Sequence, residues 1–471
     1  MPGDRRRGAA ADDEAVPRVV SATPRTARAA QALALACAAA WAAAAGADWL
    51  QPDPSYREAQ FLLRAAVRDT AGRGHDPAAL DTLGVALLRL GRSADAEAVF
   101  RRALAARPGD ATARAGLGKL ALFAGREAEA ESLLAGLAAE PGALADLFAA
   151  RLRRGDWTGA AALAPEVEQH GRVAMLERLA AEPPYAIVAG PEISEALWTR
   201  AFPTPLVRVR LDGESVLMAV DTGASDLLVD ESAARRIGIA PVGGEWSTFW
   251  NGTRHAVRGA LVRRLEIAGF RIERLPAGVL PLRRWSILVH PQGEPVAGVI
   301  GLNLLRRFTP TLDYRRNRLV LRRPGAPWSP PADDARVPFE LWGEAELMTH
   351  GTLAGGRRMA FIVQTGFPGC GIAAPSEVLD EIGVRPGGIA KLVKSAGQMV
   401  QGRPWTEVTV PSVAVGAVTR DKVTGWSGAL DAAELWRHGV RRDAVLAGQF
   451  FRGRALTIDW ARRELRISAA K

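Results

Sequence analysis

Apolar residues recur with helical spacing from Ser55 to about Ala181, alanine dominating and strand signals absent, which predicts a series of packed amphipathic helices. PPYAIVAGPEISEALWTRAFPTP (183–205) breaks that rhythm and reads as a linker. Beyond it the apolar period falls to two. LVRVRLDGESVLMAV (206–220) reads as a hairpin turning at Asp212-Gly213, and LMTHGTLAGGRRMAFIV (347–363) as another turning at Gly355-Gly356. The proline-rich RRPGAPWSPPADD (322–334) separates the two. The pattern therefore divides the chain into a helical region at 48–182, a linker at 183–205, a β region at 206–325, a linker at 326–337 and a second β region at 338–471.

Each half contains a duplication. In the helical part, LGVALLRLGRSADAEAVFRRALAARPGD (83–110) and LGKLALFAGREAEAESLLAGLAAEPG (117–142) superpose at a shift of 34 residues. Gly84 matches Gly118, Gly91 matches Gly125, Ala96 matches Ala130 and Phe100 matches Leu134. Small residues at such positions let paired helices cross closely, and the period is that of a helix-turn-helix solenoid. With Pro108 and Pro141 closing the units, this resembles tetratricopeptide repeats, which implies either a groove for a protein partner or a spacer. In the β part, VIGLNLLRRFTPTLDYRRNRLVLR (299–322) and VLAGQFFRGRALTIDWARRELRIS (445–468) share one order of features. Asp313 follows Asp221 by 92 residues, and Asp459 follows Gln364 by 95.

Charge changes this picture little. The net charge is +10, but the arginines are scattered and lack interleaved aromatics, which argues against a nucleic-acid partner. Cys37 and Cys370 are the two cysteines, so no internal disulfide framework is expected, and neither a zinc spacing nor a cofactor motif is present. The N-terminus is more informative. Six arginines between Arg5 and Arg28 precede the uncharged, alanine-rich segment 29–47, which ends at Ala45-Gly46-Ala47. That order predicts a cleaved export signal over 1–47, or a retained membrane anchor, with the bulk of the chain exported to the periplasm.

The candidate chemistry lies in MAVDTGASDLLVD (218–230), where Asp221 ends an apolar strand. Metal-free hydrolysis of an amide requires a base for water and an acid for the leaving group, and two carboxylates sharing one proton can do both. VDTGAS (220–225), followed by LLVDESAARRIGI and closed by GVIGLNLLRRFTPTLDY, resembles the retropepsin-like aspartic peptidases, and two tandem copies look like the bilobal pepsin arrangement. The resemblance implies a helical solenoid followed by an all-β bilobal acid-protease domain acting on a peptide or protein. It makes Asp221 the catalytic carboxylate, Thr222 a grip across the lobes and Gly223 the site of close backbone approach. Ser225 would hydrogen-bond near the outer carboxylate oxygen, and Gly301 would pack behind the loop. EWSTFWNGTRHAVRGALV (245–262) fits the flap of such enzymes, with Trp246, Phe249 and Trp250 facing the cleft and Asn251-Gly252 at its turn. VKSAGQMVQGRPWTEVTV (393–410) occupies the same place in the second copy.

The second copy departs from the family at one decisive position. FIVQTGFPGCGIA (361–373) has Gln364 where an aspartate belongs, although Thr365 and Gly366 remain. Glutamine can neither ionise nor share a proton. Cys370 has no histidine at a partner spacing and reads as a small buried thiol. Three readings stay open: a peptidase completed by a second molecule, a weak or narrow peptidase in which Gln364 holds water, or an inactive peptide-binding module. The duplicated second lobe already fills the surface through which a dimer would form, which argues against the first.

Overall fold

A computed structural model describes residues 54–72, 76–250, 253–385, 406–428, 435–436 and 438–470. The expected signal or anchor at 1–47 lies outside them, as do the flap turn Asn251-Gly252 and most of 393–410. Among the described residues no helix is long and apolar enough to cross a membrane.

Eight helices come first: α1 (Pro54–Gly72), α2 (Pro77–Arg89), α3 (Ser93–Ala106), α4 (Ala111–Phe123), α5 (Glu127–Leu134), α6 (Ala143–Arg154), α7 (Trp157–Leu163) and α8 (Val173–Ala181). The repeat has a local cause. Asp76 and Asp110 cap α2 and α4 by accepting the Ala78 and Ala113 amides, satisfying N–H groups a helix start leaves open. A Cβ at Gly84 would lie 2.5 Å from the Phe100 ring, and one at Gly118 would lie 2.6 Å from Leu134. Those glycines let the two helices of each unit pack in contact.

Twenty-one strands follow among the described residues. The first set is β1 (Ala186–Ala189), β2 (Ile193–Arg200), β3 (Leu206–Leu211), β4 (Glu214–Val220), β5 (Leu227–Asp230), β6 (Pro241–Trp250), β7 (Thr253–Ile267), β8 (Phe270–Leu280), β9 (Val296–Ile300), β10 (Thr309–Asp313) and β11 (Arg318–Arg322). The second is β12 (Ala335–Pro338), β13 (Glu340–Trp342), β14 (Glu346–Leu353), β15 (Met359–Gln364), β16 (Ile372–Ala374), β17 (Thr406–Val415), β18 (Val418–Ser427), β19 (Ala444–Ala447), β20 (Ala455–Asp459) and β21 (Glu464–Ile467). Short helices α9 (Glu231–Ile237), α10 (Arg283–Val289), α11 (Leu302–Leu305) and α12 (Ser376–Glu381) interrupt them.

The seven-stranded sheet closes into a small barrel, β14-β15-β19-β16-β18-β17, through the β14–β17 pairing. Within the larger sheet, β3-β4-β9-β5-β8-β7 follow the same order and are joined by β3–β7. The parallel pairs correspond as well, β4 with β9 and β15 with β19. We refer to these rings as lobe 1 and lobe 2. The hairpins β10–β11 and β20–β21 meet through Thr311↔Thr457, so one sheet bridges the lobes, with β2 and β12 at equivalent outer places.

The expected linkers are more ordered than the sequence suggested. Residues 183–205 contain β1 and β2, and β2 pairs with both β11 and β3. Its backbone is satisfied by neighbours on two sides, but apolar Ile193 and Leu197 (71% exposed) lie on the outer face and polar Ser194 on the inner face with Ala196 and Trp198, so its sequence lacks the apolar–polar alternation that marks a half-buried strand. Residues 326–337 likewise end in β12. The helices are not a separate body either, because residues 52–471 form one compact unit. Phe100, Leu117 and Phe123 share a buried cluster with Trp342, Ile362 and Cys370 of lobe 2.

Candidate active site

Asp221 is positioned by β4, whose last residues run parallel to β9, and its N–H donates to the Ile300 carbonyl at 3.1 Å. Gln364 ends β15 against β19 in the same way. The two loops then exchange hydrogen bonds. Thr222 Oγ1 donates to the Val363 carbonyl at 2.6 Å and accepts the Thr365 amide at 3.1 Å. Thr365 Oγ1 accepts the Thr222 amide at 3.0 Å and donates to the Val220 carbonyl at 3.4 Å. Both threonines are fully buried, so these bonds replace water for four backbone groups.

The glycines show how close the loops come. A Cβ at Gly366 would lie 2.3 Å from Asp221 Cγ, and one at Gly223 would lie 2.5 Å from Gln364 Cγ. Each loop's glycine therefore packs on the other loop's leading side chain. Asp221 Oδ1 accepts the Gly223 amide at 2.7 Å and the Gly366 amide at 2.9 Å. Burial raises the Asp221 carboxyl above its ordinary value, against the lowering effect of those two amides. Among the described residues no second carboxylate shares a hydrogen bond with it.

Asp226, the next carboxylate along, is turned away. It accepts Tyr185 Oη at 2.6 Å and Asn303 Nδ2 at 2.9 Å. Gly301 packs behind the loop as expected, since a Cβ there would lie 2.2 Å from the Asp226 carbonyl. Ser225 lines the cleft wall, and its carbonyl accepts the Asn303 amide at 2.8 Å. Cys370 is fully buried and unpaired, its thiol pushed well up by burial. Tyr314 was legible only as a repeat landmark. Its buried hydroxyl has no hydrogen-bond partner, and burial, followed by the charge of Asp221, raises its pKa.

A cavity of about 260 Å³ opens beside Gly223, Ala224 and Ser225. Trp246 of the hairpin β6–β7 lines it, and the hairpin's backbone pairs through Phe249↔Arg254 and Trp250↔Thr253. The remaining walls were not anticipated. Phe148 of α6 and Gln169 and Arg172 before α8 face the cavity from the repeat, while Glu344, Glu346 and His438 face it from lobe 2. The 170–172 turn presses on β6, where a Cβ at Gly171 would lie 2.2 Å from the Glu245 carbonyl. Small residues at 171, 243 and 244 were the one sequence hint of that contact. Among the described residues no cluster of His, Cys, Asp and Glu could hold a metal ion.

Residues 207–304 match the family model described as aspartyl protease, and residues 87–153 match a tetratricopeptide-repeat model. A retropepsin-like aspartic protease from Rickettsia conorii, known from its crystal structure, is similar at 18% identity and a TM-score of 0.21, over 28% of this chain and 91% of that one. No curated protein matches the chain.

Proposed function

We infer, for a chain that carries an aspartyl-protease-family domain behind a tetratricopeptide-like repeat region, that the cleft at Asp221 hydrolyses peptide bonds in a narrow set of substrates. The observation that carries this reading is the Asp221 carboxylate itself. It is buried, raised in pKa and held through Oδ1 by two amides, with no donor on Oδ2 among the described residues. Oδ2 would take the water proton as the water oxygen adds to the peptide carbonyl carbon. Asp221 then returns that proton to the leaving nitrogen as the C–N bond breaks. Gln364 contributes an amide that donates to the carbonyl oxygen or holds the water, but it stores no proton, so the rate is low. The finer architecture that goes with this reading is a two-lobed acid protease, with lobe 2 as the degenerate half. Helical residues on the cavity wall would restrict which peptides enter.

One observation favours a second reading. Replacing a carboxylate by Gln364 while keeping the threonine grip intact leaves a shaped cleft suited to holding a peptide without cutting it. Cleavage of a mixed peptide library between about pH 3 and pH 7, where carboxyl pairs titrate, separates the two. Slow cleavage abolished by Asp221→Asn supports hydrolysis; identical behaviour of natural protein and variant overturns it. The export proposal for residues 1–47 is tested by fusing residues 1–60 to a reporter active only outside the cytoplasm, and a silent reporter removes it.

A further inference from the structure

A second chamber, of about 110 Å³, lies between the repeat and lobe 1, behind the catalytic loop. Four guanidinium groups line it, Arg153, Arg172, Arg306 and Arg307, against two carboxylates, Asp226 and Glu344. Most of the acceptors present are already used. Glu344 takes both terminal nitrogens of Arg172, at 2.7 and 3.1 Å. Asp226 is satisfied by Tyr185 and Asn303, and burial holds its pKa above the ordinary value. Arg153 is engaged by the carbonyls of Leu122, Leu341 and Gly343.

One N–H and one guanidinium are left over. Arg172, paired with Glu344 and 7% exposed, lines the chamber with its Nε lacking a hydrogen-bond partner. The half-buried Arg306 guanidinium forms no hydrogen bond or ion pair with the described residues and lies 6.0 Å from the Trp460 ring. Burial lowers the pKa of Arg306, and it lowers that of Arg153 to about 9, with Arg306 as the next cause. Glu127, 3.7 Å from Arg153 Nη1, offsets part of this charge. Burying the remaining excess of positive charge is costly, and a counter-anion lowers that cost.

We propose that this chamber binds one small oxyanion of the phosphate or sulfate type, held by Arg172 Nε and the Arg306 guanidinium. Size fits the assignment: at roughly 10–15 Å³ per water site, the space admits a tetrahedral oxyanion but not a nucleotide or a peptide. Planar guanidinium forks suit tetrahedral oxyanions. The position gives binding a consequence. Asp226 directly follows Ser225 in the catalytic loop, and Arg172 belongs to the turn that presses on β6, so the anion ties the repeat to both.

The test is thermal unfolding of the full chain in inorganic phosphate, sulfate, or sodium chloride at matched ionic strength. Phosphate or sulfate is expected to raise the midpoint saturably where chloride does not, and Arg306→Gln to weaken the apparent affinity by about tenfold or more. Should that variant fail to fold, equilibrium dialysis of the natural chain with labelled phosphate and labelled sulfate replaces it, with about one anion bound per chain expected. No saturable shift beyond matched chloride, an equal shift in Arg306→Gln, or no anion bound in dialysis overturns the assignment.

Discussion

Lobes 1 and 2 share a strand order and a threonine grip but differ in what they carry. Lobe 1 supplies Asp221, the cavity-lining Trp246 and the described part of the β6–β7 hairpin. Lobe 2 has Gln364 in place of the carboxylate, and it holds the repeat: Trp342 stacks on Phe123 at 4.8 Å, and Lys119 and Arg463 donate across the joint to the His438 and Phe123 carbonyls. The contrast teaches that fold and chemistry are separable demands. Thr365 and Gly366 hold the second loop in shape, whereas Gln364 brings no ionisable group to it.

The largest expected effect falls on that scaffolding role. Trp342→Ala removes a fully buried ring and should cost about 3–5 kcal/mol, in the range for such truncations. Hydrogen exchange should show α4 and β13–β15 losing protection together while β3 and β4 keep theirs. Loss confined to lobe 2 would mean that the repeat is held elsewhere.

The grip gives a sharper comparison. Thr222→Val leaves the Val363 carbonyl and the Thr365 amide unpaired, and Thr365→Val does the same to the Val220 carbonyl and the Thr222 amide. Each buried group left unsatisfied costs about 1–3 kcal/mol; with two adjoining groups able to share one local relaxation, each variant should lose about 2–4 kcal/mol, towards the lower end of the summed range, and by similar amounts. A much smaller loss for Thr365→Val in denaturant titrations would show that the second loop has relaxed along with its chemistry.

A smaller effect separates the helices after β5 and β16. Asp230 caps α9 and accepts the Leu282 amide, whereas α12 begins at Pro375 without a side-chain cap. Burial pushes the Asp230 carboxyl up, but the Ser232 hydroxyl and the amides of Leu282, Ser232 and Ala233 outweigh it, so the folded pKa is lowered. Its contribution is present above the ordinary value of 3.8 and fades as pH falls through the folded value. Asp230→Ala should therefore cost about 1–2 kcal/mol at neutral pH and less in acid, read from unfolding midpoints across pH.

Smallest is Asp221→Asn, with the opposite sign. Because the folded pKa of Asp221 is raised, its destabilising charge is absent below 3.8 and complete above the folded value. The variant should gain about 1 kcal/mol at neutral pH and nothing in acid, as functional charges often oppose stability.

The helical period, both hairpins and the two paired loops were legible because each is encoded locally, by capping aspartates, turn glycines and alternation. Strand β2 was not, since it is paired on both edges yet leaves Leu197 exposed. Nor was the cavity wall. Phe148 and Arg172 meet the Asp221 loop through packing between segments far apart in sequence, which no local pattern records. For the same reason Asp226 was passed over beside Asp221, although its bonds to Tyr185 and Asn303 hold it at the wall the two cavities share.

We propose that lobe 2 keeps its loop and has lost only its carboxylate. Gln364→Asp restores that carboxylate with a side chain one methylene shorter, between a threonine and a glycine already in place. Peptide-library hydrolysis by the natural protein, Gln364→Asp, and Gln364→Asp combined with Asp221→Asn tests it directly. A large rise in rate is expected for the single variant, with an acid-shifted optimum because the two carboxyls then share a proton, and no activity in the double variant. A folded Gln364→Asp protein that cleaves no faster than the natural chain would contradict it.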